Sequence, residues 1–322
     1  MEAYEAIQKK TSRSLFMSHL TVLIIGENLA RSGVAESLDF FSRHRESRIS
    51  KDVVFTKDLN GLLSVDGGLE RLLSETLREE LTYNSHFDTS LREFLTMLTE
   101  EGTDPLGVAF SPENLSEESA SSDSDNNSLQ KSGGITGTAL FHKDKLVGWL
   151  DNKESKAIYL LKGKAKQGNF SIEIPDKFGG GKIGGFFRIQ GTKIDPLIRN
   201  NKLEFDIKLK SQLIVFESNS KLDLSDHKSV HYLEGEESKY LKEKSEATLK
   251  KIQSEYGADI LGLGKQLYNK YPKLWRNKYE QIWENEYPKV KINLVVDTSI
   301  PRTGLDTKSP TLPDKDFVKV GN

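Results

Sequence analysis

Three short stretches of this chain place residue types at spacings that chemistry uses. Phe178-Gly179-Gly180-Gly181-Lys182-Ile183-Gly184-Gly185 contains G-x-G-x-x-G, the pattern that lets a backbone approach a pyrophosphate at a helix N-terminus. Its setting points elsewhere, because Pro175 precedes it and Phe186–Ile189 reads as a strand where a dinucleotide fold needs a helix. Ile183 also follows Gly181-Lys182 where a phosphate-binding loop needs Ser or Thr, so a flexible hairpin tip is expected. His227 and His231 are four apart, close enough to share a helix face around a metal. No Glu accompanies them in the H-E-x-x-H position, and their polar flanks predict a solvated loop. The third stretch, Arg43-His44-Arg45-Glu46-Ser47-Arg48, concentrates charge. Arg43, Arg45, Glu46 and Arg48 could hold an anion or set the orientation of a partner, with ion pairing at a helix end as the plain alternative.

Catalytic apparatus is not visible. The chain has no cysteine, which excludes a disulfide framework, Cys-ligated zinc and a thiol nucleophile. There is no G-x-S-x-G elbow, and Glu79-Glu80 and Glu117-Glu118 read as solvated surface acids. No catalytic, cofactor or metal residue is assigned. Trp275, Tyr279 and Trp283, spaced four apart, could form a partner surface but are better explained as core. Of 322 residues, 46 are Lys or Arg and 48 are Asp or Glu, a formal charge of −2 that argues against nucleic acid as a partner. Apolar runs reach only strand length, short of the ~18 residues of a spanning helix. Acids stand where a signal peptide would carry positive charge, so the sequence as given reads as soluble and untargeted.

The elements that must position these residues fall into two modules. Leu20–Ile25 reads as a buried strand, followed by a short helix ended by Gly33 as its αL residue. Val53-Val54-Phe55 offers a second strand. Leu69, Leu72, Leu73 and Leu77 recur at helical spacing, and Ser90 with Glu93 has capping-box spacing for a further helix. Residues 111–134 hold eight Ser and five acids against one Lys, a composition that cannot bury a core and is expected to be a linker between modules. Beyond it, Ile135–Phe141 and Leu146–Leu150 form a hairpin expected to open a second sheet. Alternation at Phe205, Ile207, Leu209, Leu213 and Val215 predicts a strand with one solvated face. Leu241, Leu249, Ile252, Tyr256 and Ile260 mark one stripe of a long helix lying on that sheet. Val290, Ile292, Leu294 and Val296 alternate as a closing strand. The fold class is α+β, with two to three modules that each pack helices on a mostly antiparallel or mixed sheet. Expected boundaries are 1–110 for a first module, divisible near 57, then 111–134 as linker, 135–305 as second module and 306–322 as flexible tail.

The run His19-Leu20-Thr21-Val22-Leu23-Ile24-Ile25-Gly26-Glu27-Asn28-Leu29-Ala30-Arg31-Ser32-Gly33 resembles the spore germinant-receptor C-subunit family, Ger(x)C, as do Leu38–Arg43 and Glu46–Arg48 after it. The second module agrees, since Gly137-Thr138-Ala139-Leu140-Phe141-His142-Lys143-Asp144-Lys145-Leu146-Val147-Gly148 looks like the family's hairpin, and Ala258–Gly264, Tyr271–Trp275 and Trp283 follow in family order. The resemblance implies a non-enzymatic lipoprotein subunit at the spore inner membrane that works with two integral subunits, A and B, to detect nutrient germinants. A module that captures the small-molecule germinant itself is the alternative. Family chains begin with a signal peptide, a lipobox cysteine and several strands; this sequence lacks them and is expected to be N-terminally truncated, the first sheet short of strands. The motifs look structural, so the resemblance supplies no ligand residue.

Overall fold

A computed structural model describes residues 2–12, 14, 16–44, 47–65, 73–83, 90–114, 131–301 and 317–320. It divides into two units, one of Met1–Glu100 with Asp104–Asn152 and one of Glu101–Thr103 with Lys153–Asn322.

The first unit opens with α1 (Glu2–Lys10), then β1 (Val22–Gly26), α2 (Glu27–Ser32) and α3 (Ala35–Arg43), which lead into β2 (Asp52–Thr56). α4 (Leu59–Leu63), α5 (Leu73–Tyr83) and α6 (Leu91–Thr99) precede β3 (Leu106–Asn114), and β4 (Lys131–His142) and β5 (Lys145–Asp151) complete a sheet ordered β1-β2-β3-β4-β5. β1, β2 and β3 are parallel, while β3, β4 and β5 are antiparallel, so the sheet is mixed. Parallel neighbours need a crossover, and helices supply both. The expected caps hold in part: Ser90 Oγ accepts from the Glu93 amide at 3.2 Å, opening α6. Gly33 does end α2 with a positive φ of 125°, but its ψ of 132° is extended rather than αL. That turn sends the Val34 amide to the Asp144 carbonyl at 3.0 Å.

The core under this sheet centres on Phe55, Phe94 and Phe141, whose ring centroids lie 4.7 to 5.4 Å apart in tilted and edge-to-face pairs. Leu23, Ile25, Leu38, Val53 and Leu91 close around them. A Cβ on Gly107 would sit 2.2 Å from the Phe55 ring, which is why β3 carries glycine there.

Two expectations are corrected here. The hairpin of residues 135–150 does not open a second sheet; it closes the first, because Gly107 to Asn114 pair antiparallel with Ala139 back to Lys131. The serine-rich segment therefore lies between two adjacent strands of one sheet, with Asn114 paired to Lys131, and its residues 115–130 lie outside the described residues. The Leu69–Leu77 helix is described only from Leu73 onward.

The second unit starts with α7 (Asn152–Leu161), whose first residue belongs to the other unit, then β6 (Gln167–Glu173), β7 (Lys182–Arg199) and β8 (Lys202–Ser218) in antiparallel succession. Asn200 and Asn201, both at positive φ (48° and 62°), turn β7 into β8 in the two-residue manner that matches strand twist. α8 (His227–Lys251) returns the chain, and α9 (Leu263–Lys270), α10 (Pro272–Leu274) and α11 (Trp283–Glu286) lead to β9 (Lys291–Ser299), which lies parallel to β8 at the sheet edge. The glycine run is the expected hairpin tip between β6 and β7: Ile174 donates to the Gly181 carbonyl at 2.8 Å.

The long helix carries Leu241 and Leu249 inward as expected, but a π turn over Ile252–Tyr256 and the αL residue Gly257 end it before Ile260. Trp275, Tyr279 and Trp283 are buried core residues, and a π turn over Trp275–Tyr279 breaks the expected helix. The tail expected to lack fixed structure is described at Phe317–Val320, where Val318 bridges to Leu222.

Candidate partner-contact surface

The charged stretch singled out in the sequence begins on the last turn of α3. Arg43, exposed on the last turn of that helix, directs Nε at both carboxylate oxygens of Asp39, at 2.7 and 2.8 Å. Asp39 holds the Arg43 guanidinium above its ordinary pKa, so the plain alternative of local pairing is realised at this residue. Arg48 is exposed further along the loop. Arg45 and Glu46 lie outside the described residues.

Backbone hydrogen bonds hold the loop on three sides. At its start the extended C-cap residue His44 donates to the Phe40 carbonyl (3.0 Å), and the Ser47 amide donates to the His44 carbonyl (2.9 Å). Its end is tied to the first turn of α6, where Arg92 donates to the Ile49 carbonyl (3.0 Å) and Leu91 to the Lys51 carbonyl (2.8 Å). The Asp52 amide then reaches the Thr21 carbonyl at 2.9 Å and starts the pairing of β2 with β1. Arg48 and Ile49 are thus displayed on a segment fixed to two helices and a strand.

Lys51, which sequence reasoning passed over, sits beneath this segment. It is 3 % exposed, its ammonium lies 5.2 Å from the Phe41 ring centroid, and it donates to the Ser47 hydroxyl. Burial pulls its pKa below the usual lysine value, since removal from water penalises the charged form. The one signal in the sequence is its position two residues before the apolar run Val53-Val54-Phe55. Arg92, exposed beside the Ile49 carbonyl, was missed as well, because it belongs to a helix 44 residues away in sequence from Arg48.

The arrangement offers cations on a rigid support, suited to orienting an acidic surface. His227 and His231 occupy the first turns of α8 rather than a loop, both exposed, with His231 Nδ1 3.5 Å from Glu234. Among the described residues no group of three or more His, Cys, Asp or Glu is placed to hold a metal ion. No described helix is long and apolar enough to cross a membrane.

Comparison with known proteins bears on the whole chain. Residues 1–109 match the family described as spore germination protein N-terminal domain, and residues 136–304 match the spore germination B3/GerAC-like C-terminal family. The second match begins inside β4, so the family boundary and the boundary between the two sheets differ. Among Bacillus subtilis (strain 168) proteins, the putative spore germination protein YfkR is 24 % identical over 260 residues, covering 78 % of this chain and 63 % of its own length. Spore germination protein KC is 26 % identical over 321 residues, covering 94 % of this chain and 76 % of its own. The crystal structure of the GerBC protein superposes with a TM-score of 0.64 at 21 % identity, over 92 % of this chain and 83 % of that one, which establishes a shared fold.

Proposed function

The chain belongs to the spore germination B3/GerAC-like family, Ger(x)C, and from that membership we propose that it is the non-enzymatic C-subunit of a nutrient germinant receptor. In this reading it sits at the spore inner membrane as a peripheral lipoprotein and assembles with two integral subunits, A and B. The observation that carries the proposal is that matches to this family cover both parts of the chain, residues 1–109 and 136–304. The geometry supports an assembly role through the anchored loop, which displays Arg43 and Arg48 outward. Rim charges of this kind steer orientation and partner choice more than they add affinity. Arg45 and Glu46, between them in sequence, are proposed as part of the same contact.

An antibody to this chain, used on detergent-solubilised inner membranes of dormant spores with mass spectrometry of what it retains, tests the assembly. Two multi-pass proteins are expected with it, and arrival alone would overturn the reading. Arg43→Glu with Arg48→Glu places like charges at the contact and is expected to lower recovery of both subunits about tenfold. Unchanged recovery would remove the loop from the interface and leave the assembly itself standing.

A further inference from the structure

Among the described residues of the second unit, helices cover one face of its four-stranded sheet, and the side chains of the other face are largely exposed. Along β8 the side chains alternate, with Leu209, Ser211, Leu213 and Val215 buried against the helices and Lys208, Lys210 and Ile214 turned outward. Register extends this outer face sideways, since Lys208 lies opposite Lys193 of β7 and Val295 of β9. Arg188 adds a fourth exposed cation, and its guanidinium stands 5.9 Å from the Phe186 ring. Phe186 in turn packs at 5.9 Å on Phe216, which is 68 % exposed, while Val295 is 53 % exposed on the opposite flank.

Charge is unbalanced over this area. Towards the Asn200–Asn201 turn every acid is engaged: Arg199 and Asn293 hold Asp206 and Glu204, and Lys270 holds Asp195. Arg188, Lys193, Lys208 and Lys210 have no such partner among the described residues. The other nearby acids are Asp297, across from Lys210 in register, and Glu217, next to Phe216; Asp195 and Asp206 also feel Lys193 and Lys208 but are already held by Lys270 and Arg199, which leaves cations in excess.

The pattern discriminates between occupants. A protein partner of ordinary size desolvates an apolar or aromatic centre, from which lysine is depleted, and leaves charge at the rim. Here there is no such centre: Lys193, Lys208 and Lys210 occupy one end of the face, and Phe186, Ile214 and Phe216 the other. The face runs about 25 Å along β8 from Lys208 to Phe216 and about 10 Å across three strands. Lysines are point charges that need no fork geometry, and a dense array of phosphates meets them without drying them. An exposed phenylalanine beside them suits the boundary between headgroups and acyl chains.

We propose that this outward face of the second sheet docks on an anionic phospholipid surface, with Arg188, Lys193, Lys208 and Lys210 meeting headgroup phosphates and Phe216 entering the interface. The choice of lipid rests on the membrane location proposed above.

The test uses the purified chain alone with vesicles of phosphatidylcholine, and of phosphatidylcholine with about 30 % phosphatidylglycerol, in flotation at about 0.1 M and about 0.5 M salt. Binding is expected to the anionic vesicles only and to weaken at the higher salt. Lys193→Glu, Lys208→Glu and Lys210→Glu together, all exposed, are expected to lower the bound fraction about tenfold while the thermal transition stays in place. The same change of charge on the exposed side of α8, by Lys228→Glu, Lys239→Glu and Lys242→Glu, is expected to leave binding within about twofold. No binding to anionic vesicles overturns the proposal, as does equal loss in the two triple variants, which would mean net charge alone. If vesicles are ignored but the sheet variant loses the A and B subunits in the antibody experiment, the face belongs to a protein and the receptor reading survives. Vesicle binding with no companions retained by the antibody would reverse that outcome.

Discussion

Glu237, in the middle of α8, is 1 % exposed, and its Oε1 has no hydrogen-bond partner among the described residues. Burial pushes its carboxyl up to about 7 from an ordinary 4.5, with the Lys156 ammonium on α7 pulling weakly the other way. The folded state therefore binds this proton more tightly than the unfolded chain does. Its contribution to stability is complete below pH 4.5 and is lost as pH rises through about 7. The loss amounts to about 3 kcal/mol at order-of-magnitude level. Glu237→Gln, which cannot ionise, is expected to remove that part of the slope. Urea unfolding at pH 5 and pH 8 measures it, and equal slopes in the two proteins would show that Glu237 ionises freely in the fold. Asp195 and Asp206, held low by Lys270 and by Arg199 and Asn293, act in the opposite sense, losing their contribution only as pH falls through the acid range. They leave the window between 4.5 and 7 to Glu237.

At the scale of elements, the carboxylate of Asp259 ties α9 to α11. Buried at the mouth of α9, it accepts the Leu263 amide on one oxygen at 2.8 Å, and on the other the Gly264 amide at 2.8 Å and the Trp283 indole at 3.0 Å. Gly264 must be glycine for this to close, because a Cβ there would lie 2.8 Å from Trp275, Trp283 and the Gly102 backbone alike. Asp259→Ala strands three buried donors and is expected to cost about 3–5 kcal/mol, with Asp259→Asn losing less because one oxygen still accepts. Urea denaturation of both variants checks this, and a loss below about 1 kcal/mol in the alanine variant would deny the network its role. The sequence reveals such a site poorly, since the donors stand 4, 5 and 24 residues away and no periodicity links them. What was legible is local: the Ser90 cap, the pairing of Arg43 with Asp39 one helical turn apart, the glycine tip between β6 and β7, and the alternation of β8 and β9. Each depends on neighbours in sequence. The hairpin of β4 and β5 shows the limit, because alternation fixes which side chains face a core and says nothing of which sheet the strands join. Lys51 shows the same limit at the candidate contact, where packing under a loop buried a residue type that composition assigns to the surface.

For the molecule as a whole, the topology separates the connections that carry structure from those that need not. Parallel pairs β1–β2, β2–β3 and β8–β9 require long crossovers, and helices fill every one. β3 and β4 are antiparallel neighbours whose pairing continues to Asn114 and Lys131, so two residues would suffice to join them. The 16 residues between those partners are rich in serine and acid and lie within the span of one sheet, whereas the chain passes between the two units at residues 100–104 and 152–153. Replacing residues 115–130 by Asn-Gly is therefore expected to leave the fold intact. Shorter loops lose less entropy on closure, and the logarithmic dependence allows a gain of at most about 2 kcal/mol. The denaturant slope should stay the same, because the surface exposed on unfolding is set by the two sheets and their helices. A destabilisation of more than about 1 kcal/mol, or a changed slope, would mean that the segment packs on the first sheet and supports it. Unchanged stability would confine any role of the serine-rich segment to what the protein binds.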